Sequence, residues 1–195
     1  MSPLDTLLTR RSAQTFTGVE PSAEQLELVL RAATTVPDHG RMRPWRLVVV
    51  HSCGRESFAA ALVSAGQARD ADLPQRAVSK LREKAFVAPV QVVIVSSPVA
   101  NDKVPVWEQE ASAACAGYAM ALAAHAQGLG AVWKTAPFRR GAGLDALLEL
   151  GEQEQILGWI NLGVAASLVV PRASVDLSEV VTHVTGVDPA ATAPG

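Results

Sequence analysis

The sequence predicts an α+β or α/β sandwich built on one main sheet. Three observations carry that prediction. Short β-branched runs of strand length recur at Leu47-Val48-Val49-Val50 and Val90-Gln91-Val92-Val93-Ile94-Val95. Helical patterns separate them, in imperfect alternation. One long alanine-rich helix, Val106 to Gln127, occupies the middle of the chain.

The elements follow in order. Ser2 reads as an N-cap with Pro3 at N1 and Asp5 at N3, and Leu4, Leu7 and Leu8 make one stripe of a helix ending near Arg10. Ser22-Ala23-Glu24-Gln25 is a capping box, and Leu26, Val29, Leu30 and Ala33 continue the apolar face. That helix must stop before Pro37, because a residue preceding proline disfavours the α region. Arg46 to His51 reads as a buried strand. A helix after Gly54 runs through Phe58, Ala61 and Leu62, and the small polar residues 66–74 read as a mobile loop. Pro74 to Glu83 is helical, and Pro89 leads into the clearest buried strand of the chain. Asn101 to Pro105 is a loop. The long helix carries Gly117, and its small residues suit close approach by another helix, within the chain or across a subunit interface. Gly128 and Gly130 punctuate its end. Ala131 to Trp133 should be a strand, with Lys134 and Thr135 in the turn after it. Leu144 to Leu150 reads as a short helix, and Ile156 to Leu162 as a last strand stopped by Gly163. Residues 1–185 form a single domain in this reading, and the Pro/Ala/Gly-rich residues 186–195 a disordered tail.

Composition narrows the function. The 195 residues are 49% hydrophobic and 18% charged, with a net charge of −2, which is ordinary globular material without the basic block that nucleic acid requires. No apolar stretch approaches the ~20 residues that span a bilayer, and the start lacks the pattern of a signal peptide. Cys53 and Cys115 stand far apart, forming neither a metal motif nor a disulfide framework, and read as reduced cytosolic thiols. The expectation is a cytoplasmic protein with no membrane and no nucleic-acid partner.

Two stretches carry chemistry. Arg10-Arg11-Ser12 sets two guanidiniums and a hydroxyl at a helix end. Such arginines can simply complement the helix dipole, but a guanidinium fork beside a hydroxyl also suits a phosphate. Pro37-Asp38-His39-Gly40-Arg41-Met42-Arg43-Pro44-Trp45 is a polar, basic loop running into a strand. The rings of His39 and Trp45 could lie against something planar. Read alone, Trp45, Trp107, Trp133 and Trp159 are core residues. There is no G-x-S-x-G, no Walker loop, no H-E-x-x-H and no G-x-G-x-x-G. Glu108 and Glu110 are two apart on a helix and face different ways, a poor acid/base pair. Such thin acid/base equipment fits an enzyme whose reactivity belongs to its cofactor, and the two stretches together suggest flavin mononucleotide (FMN).

Four motifs in register then carry a resemblance. The opening R-R-S, the P-D-H-x-x-M-x-P-W loop, K-V-P-x-W-E-Q-E at Lys103 to Glu110, and A-Q-G-x-G-x-x-W-[KR] at Ala126 to Lys134 resemble the nitroreductase family of FMN-dependent oxidoreductases, most of all its compact YdjA-like branch. The resemblance spans about residues 4 to 165. It implies an α+β fold with a central mixed or antiparallel sheet flanked by helices, and a homodimer with FMN held non-covalently at the subunit interface. It assigns Arg10, Arg11 and Ser12 to the phosphate and ribityl end. His39 matches a cofactor-contacting position, and Thr35 stands where the branch has a cofactor-contacting arginine. Trp133, Lys134 and Thr135 match the segment beside the isoalloxazine, with Lys134 near N1 and Thr135 near N5 as the catalytic candidates. Ala123, Ala124, His125, Ala126, Gln127 and Gly128 match a segment assigned to NAD(P), and Arg172 is the nearest candidate for a basic residue of the C-terminal arm. No residue is assigned to a metal.

The implied activity is hydride transfer from NAD(P)H through the flavin to nitroaromatic, quinone or similar electron-poor acceptors, with ping-pong kinetics. Competing readings are another flavin reaction on the same fold (ene reduction, dehalogenation, oxygen-dependent flavin fragmentation), a flavin-binding protein without substantial turnover, and a relative that has lost its flavin.

Overall fold

The computed structural model describes residues 2–167, 175–184 and 186. Arg172 and nearly all of the expected tail lie outside the described residues. The fold is α+β. Four strands, β1 (Trp45–Val50), β2 (Val90–Ser96), β3 (Gly130–Thr135) and β4 (Gln155–Gly163), make one sheet in the order β1-β2-β4-β3. Every strand pairing is antiparallel. The helices are α1 (Pro3–Thr9), α2 (Ala23–Ala32), α3 (Arg55–Arg69), α4 (Gln75–Lys84), α5 (Val106–Ala126) and α6 (Ala142–Leu148).

Helices cover both faces of the sheet. Val92 and Ile94 of β2 pack with Val29 of α2 and with Ala113, Ala116 and Met120 of α5. Val93 and Val95 join Phe58 and Leu62 of α3 and Leu144 and Leu148 of α6. Successive side chains of a strand point to opposite faces. A strand covered on both faces therefore reads as one unbroken apolar run, and β2 is buried along its whole length. The strand expected over Arg46 to His51 differs: β1 spans Trp45–Val50 at the sheet edge and is only partly buried until Val50.

Both capping boxes form as the sequence predicts, at Ser2 and Ser22. Two expectations are corrected. Helix α3 runs to Arg69, so part of the stretch 66–74 is helical. Ala65 and Gly66 are buried, Leu81 is 2.6 Å from where a Gly66 Cβ would stand, and this packing against α4 overrides the low propensity of small polar residues. Lys134 and Thr135 belong to β3 itself, paired with Trp159 and Gly158.

Helix α5 spans about 30 Å and lies against β2, β3 and β4. Gly117 is what lets it lie so close: a Cβ there would stand 1.9 Å from the Trp133 ring and 2.7 Å from Ile94. The packing that Gly117 serves is therefore within the chain. Another face of α5 stays exposed at Ala111, Ala114, Cys115 and Tyr118.

Candidate functional site

The chain leaves α1 at Arg10, whose φ of −55° and ψ of 134° are extended rather than helical. It then runs along the outer edge of β3. Ser12 forms a parallel bridge with Ala131, and the Ala13 amide donates to the Ala131 carbonyl at 3.1 Å. An extended segment sends alternate side chains to opposite sides. Arg10 and Ser12 therefore line one cavity, of about 280 Å³, together with Gly117, Tyr118 and Trp133. Arg11 and Ala13 face another, of about 480 Å³, shared with His125 and Gly128.

The first cavity has aromatic walls and a cationic rim. The Arg10 guanidinium carbon lies 6.0 Å from the centroid of the Tyr118 ring. Trp133, a core residue by sequence alone, is only partly buried because its ring forms a wall. Arg11 closes the end of α1, its Nη1 donating to the carbonyls of Leu8 (3.0 Å) and Arg10 (2.7 Å), while its buried Nε has no partner among the described residues. Neither Arg10 nor Arg11 is in an ion pair among the described residues. The excess charge registers on His125: burial, then Arg10 and Arg11, hold its pKa below the ordinary 6.5. His125 Nε2 lies 2.9 Å from the Thr9 hydroxyl.

The remaining predicted residues are spread further. His39 is at the other end of α5, where its Nδ1 is 2.8 Å from Glu108 Oε1. Glu108 and Tyr118 are ten positions apart on the helix, about 15 Å along its axis. The His39 loop is built around Asp38, whose carboxylate accepts from the amides of Met42 (3.1 Å) and Arg43 (2.8 Å). Those bonds hold Arg41 and Arg43 at φ of 54° and 48°, a left-handed backbone that costs a non-glycine residue of order 1 kcal/mol. Arg41, Arg43 and Trp45 line a separate cavity of about 560 Å³. Thr35 is exposed at the end of α2, its hydroxyl donating to Ala32 O at 2.9 Å. On β3 the alternation puts Thr135 on the side of Trp133 and Lys134 on the opposite side, both exposed. Within Ala123 to Gly128, Ala124 is fully buried in the core and Ala123 packs against it. Gln127 Nε2 donates to Gln25 O (3.3 Å) and Ala123 O (3.2 Å), and His125 and Gly128 line the second cavity. Ala126 is exposed.

Three features were not read from the sequence. Tyr118 was hidden because nothing in the chain links it to Arg10, over a hundred residues away. The partnership of His39 and Glu108 was equally invisible. Trp107, expected in the core, is 70% exposed on the first turn of α5. Glu108 and Glu110 do serve separate partners, as their spacing predicts: His39 for the first, Arg139 and Gln155 for the second.

The Nitroreductase family model matches residues 7–164. The chain is 39% identical over 163 residues to YdjA of Escherichia coli K12, provisionally named an NAD(P)H nitroreductase, which covers 84% of this chain and 88% of that protein. A similarly named protein of Haemophilus influenzae is 33% identical over 164 residues, with the same coverage. Among solved structures, the fold is similar to a nitroreductase-like family protein from Bacillus cereus, at a TM-score of 0.79 with 22% identity over 95% of this chain and 97% of that one. It is also similar to a nitroreductase with bound FMN from Bacteroides fragilis, at a TM-score of 0.70 with 21% identity over 94% of this chain and 100% of that one. The chain belongs to the nitroreductase family.

Proposed function

We propose that the protein is an FMN-dependent NAD(P)H oxidoreductase, a nitroreductase acting as a homodimer. The observation that carries this reading is the cavity in which an unpaired arginine and a serine hydroxyl meet two aromatic rings. The residues fit the group. A phosphate dianion would supply the negative charge that Arg10 and Arg11 lack among the described residues, and Tyr118 and Trp133 offer flat apolar surface. The B. fragilis relative, of the same fold, has FMN bound.

When bound, FMN supplies the two-electron chemistry that carries hydride from NAD(P)H to a nitroaromatic, quinone or similar electron-poor acceptor. The chain's own residues bind and orient. Arg10 holds the phosphate with charge-assisted hydrogen bonds and Ser12 adds its hydroxyl. Trp133 flanks the ring system. Thr135, on the same side of β3 as Trp133, would offer a hydroxyl or amide to flavin N5. Lys134, on the opposite side of the strand, would contribute positive charge for N1 only at longer range. His39, at the far end of α5, and Thr35, at the end of α2, would meet the cofactor held by the other copy. Helix end 123–128, whose His125 and Gly128 line the neighbouring cavity, would meet NAD(P) only at the margin of the site. One site serving donor and acceptor by turns gives ping-pong kinetics.

A second copy would complete this site. The cavity volume of about 280 Å³ falls just below the ~300–1,000 Å³ of ordinary ligand pockets. His39 lies about 15 Å along α5 from Tyr118, so a partner's His39 is a natural complement to this chain's Arg10. Arg10→Ala tests the phosphate role. The variant should lose its flavin to a filtrate, and stoichiometric flavin retained on the protein would contradict the assignment.

A further inference from the structure

The W-E-Q-E run at the start of α5 has no role in the reading above, yet each polar residue ties down a different loop. Gln109 is buried and clamps the segment before the helix: its Nε2 donates to the carbonyls of Val99 and Val104 (both 2.9 Å), and its Oε1 accepts from the Val99 amide (2.9 Å). Glu110 accepts from Arg139 and, at 3.1 Å, from Gln155 Nε2. Glu108 takes His39, and it has no other ion-pair partner among the described residues.

A carboxylate only accepts hydrogen bonds, so the proton between the two groups sits on His39 Nδ1. A neutral ring bonded in this way keeps its lone pair at Nε2, which has no partner among the described residues, whereas a protonated ring would carry N–H there too. Carboxylates behind histidines fix tautomer and ring orientation in just this way elsewhere. We propose that Glu108 is a positioning residue for His39: it locks the imidazole as the Nδ1–H tautomer, so that His39 meets the cofactor through Nε2 as a hydrogen-bond acceptor. The matching group on FMN is then a donor, a ribityl hydroxyl or the imide N–H, and not the phosphate, which accepts. This rests on the reading of His39 as a cofactor contact.

The test is a double-mutant cycle on FMN affinity, measured by titrating flavin into flavin-free protein, with the His39 tautomer read by long-range ¹⁵N–¹H spectroscopy. His39→Ala and Glu108→Ala should each weaken FMN about three- to tenfold. Combined, they should cost no more than either alone, because Glu108 acts through His39. Glu108→Gln, whose amide oxygen still accepts from Nδ1–H, should recover most of the affinity; it also guards against misfolding of the alanine variant. The unmodified protein should show protonated Nδ1, and Glu108→Ala should release the Nε2–H form. Additive losses, or an Nε2–H ring in the unmodified protein, would overturn the role of Glu108 while leaving His39 a cofactor contact. Unchanged affinity in His39→Ala would remove that contact, and this proposal with it.

Discussion

At the scale of single residues, the candidate site turns on a two-residue alternation. Arg10 and Arg11 are adjacent in sequence and identical in chemistry, yet they face different cavities because the chain is extended where it bridges to Ala131. The charge that results has a spectroscopic handle in His125. Burial and the two arginines hold its pKa below 6.5. A bound phosphate dianion offsets the arginines, so FMN should raise the His125 pKa. The measurement is an NMR titration of the four histidine rings, with and without FMN. A His125 midpoint that does not move on binding would place the phosphate elsewhere. The motif Arg10-Arg11-Ser12 suggests an anion site from residue types alone. Its division between two cavities was not legible there, because it depends on pairing with a strand nearly 120 residues away. Trp107 is exposed where the residue type predicts core for a related reason: size and hydropathy do not say whether a ring has a neighbour on both sides, as Trp159 has in its T-shaped contact with Phe58.

At the scale of elements, most of the fold was legible where local chemistry decides it. Caps at Ser2 and Ser22, the stop before Pro37 and the apolar run of β2 all follow from adjacent residues. The errors lie where tertiary packing decides: the last turn of α3, the length of β3 and the half-open state of β1. One clamp joins such distant pieces. Arg46 on β1 meets Glu154 with Nε (2.8 Å) and Nη2 (2.7 Å), and its Nη2 also caps α6 through Leu148 O (2.7 Å). Arg46 first, against the opposing effect of burial, and then Ser97 and the Gly151 amide bring the Glu154 pKa down to about 2, below its ordinary 4.5. A carboxylate with a depressed folded pKa contributes stability that is complete above its unfolded pKa. That contribution is lost as pH falls from the unfolded value, 4.5, through about 2. Glu154→Gln should therefore destabilise the protein at neutral pH by about 2 kcal/mol, the exposed side of Arg46 screening part of the effect. It should also flatten the loss of stability in that acid window. Denaturant unfolding at a series of pH values checks both, and an acid dependence equal to that of the unmodified protein would contradict the clamp.

At the scale of the whole molecule, the site reads as half of something. Helix α1 buries none of its residues, and Leu4, Leu7 and Leu8 are 62%, 47% and 65% exposed. Three leucines on one stripe of a helix whose end carries Arg10 to the exposed Tyr118 make a face that a second copy would cover. Sedimentation should show a dimer, and Leu7→Glu combined with Leu8→Glu should yield monomer and lower flavin occupancy together. A monomeric unmodified protein that still holds flavin stoichiometrically would separate the cofactor site from any interface. The sequence showed the leucine stripe, but amphipathicity alone does not distinguish a face turned to the core from one turned to a partner. The central claim, that this chain binds FMN and passes electrons through it, is tested most directly by the visible absorption spectrum of the purified protein, recorded without oxygen before and after NADPH or NADH. The account predicts flavin bands that bleach on adding the nicotinamide. A protein that stays colourless even after FMN is supplied would contradict it.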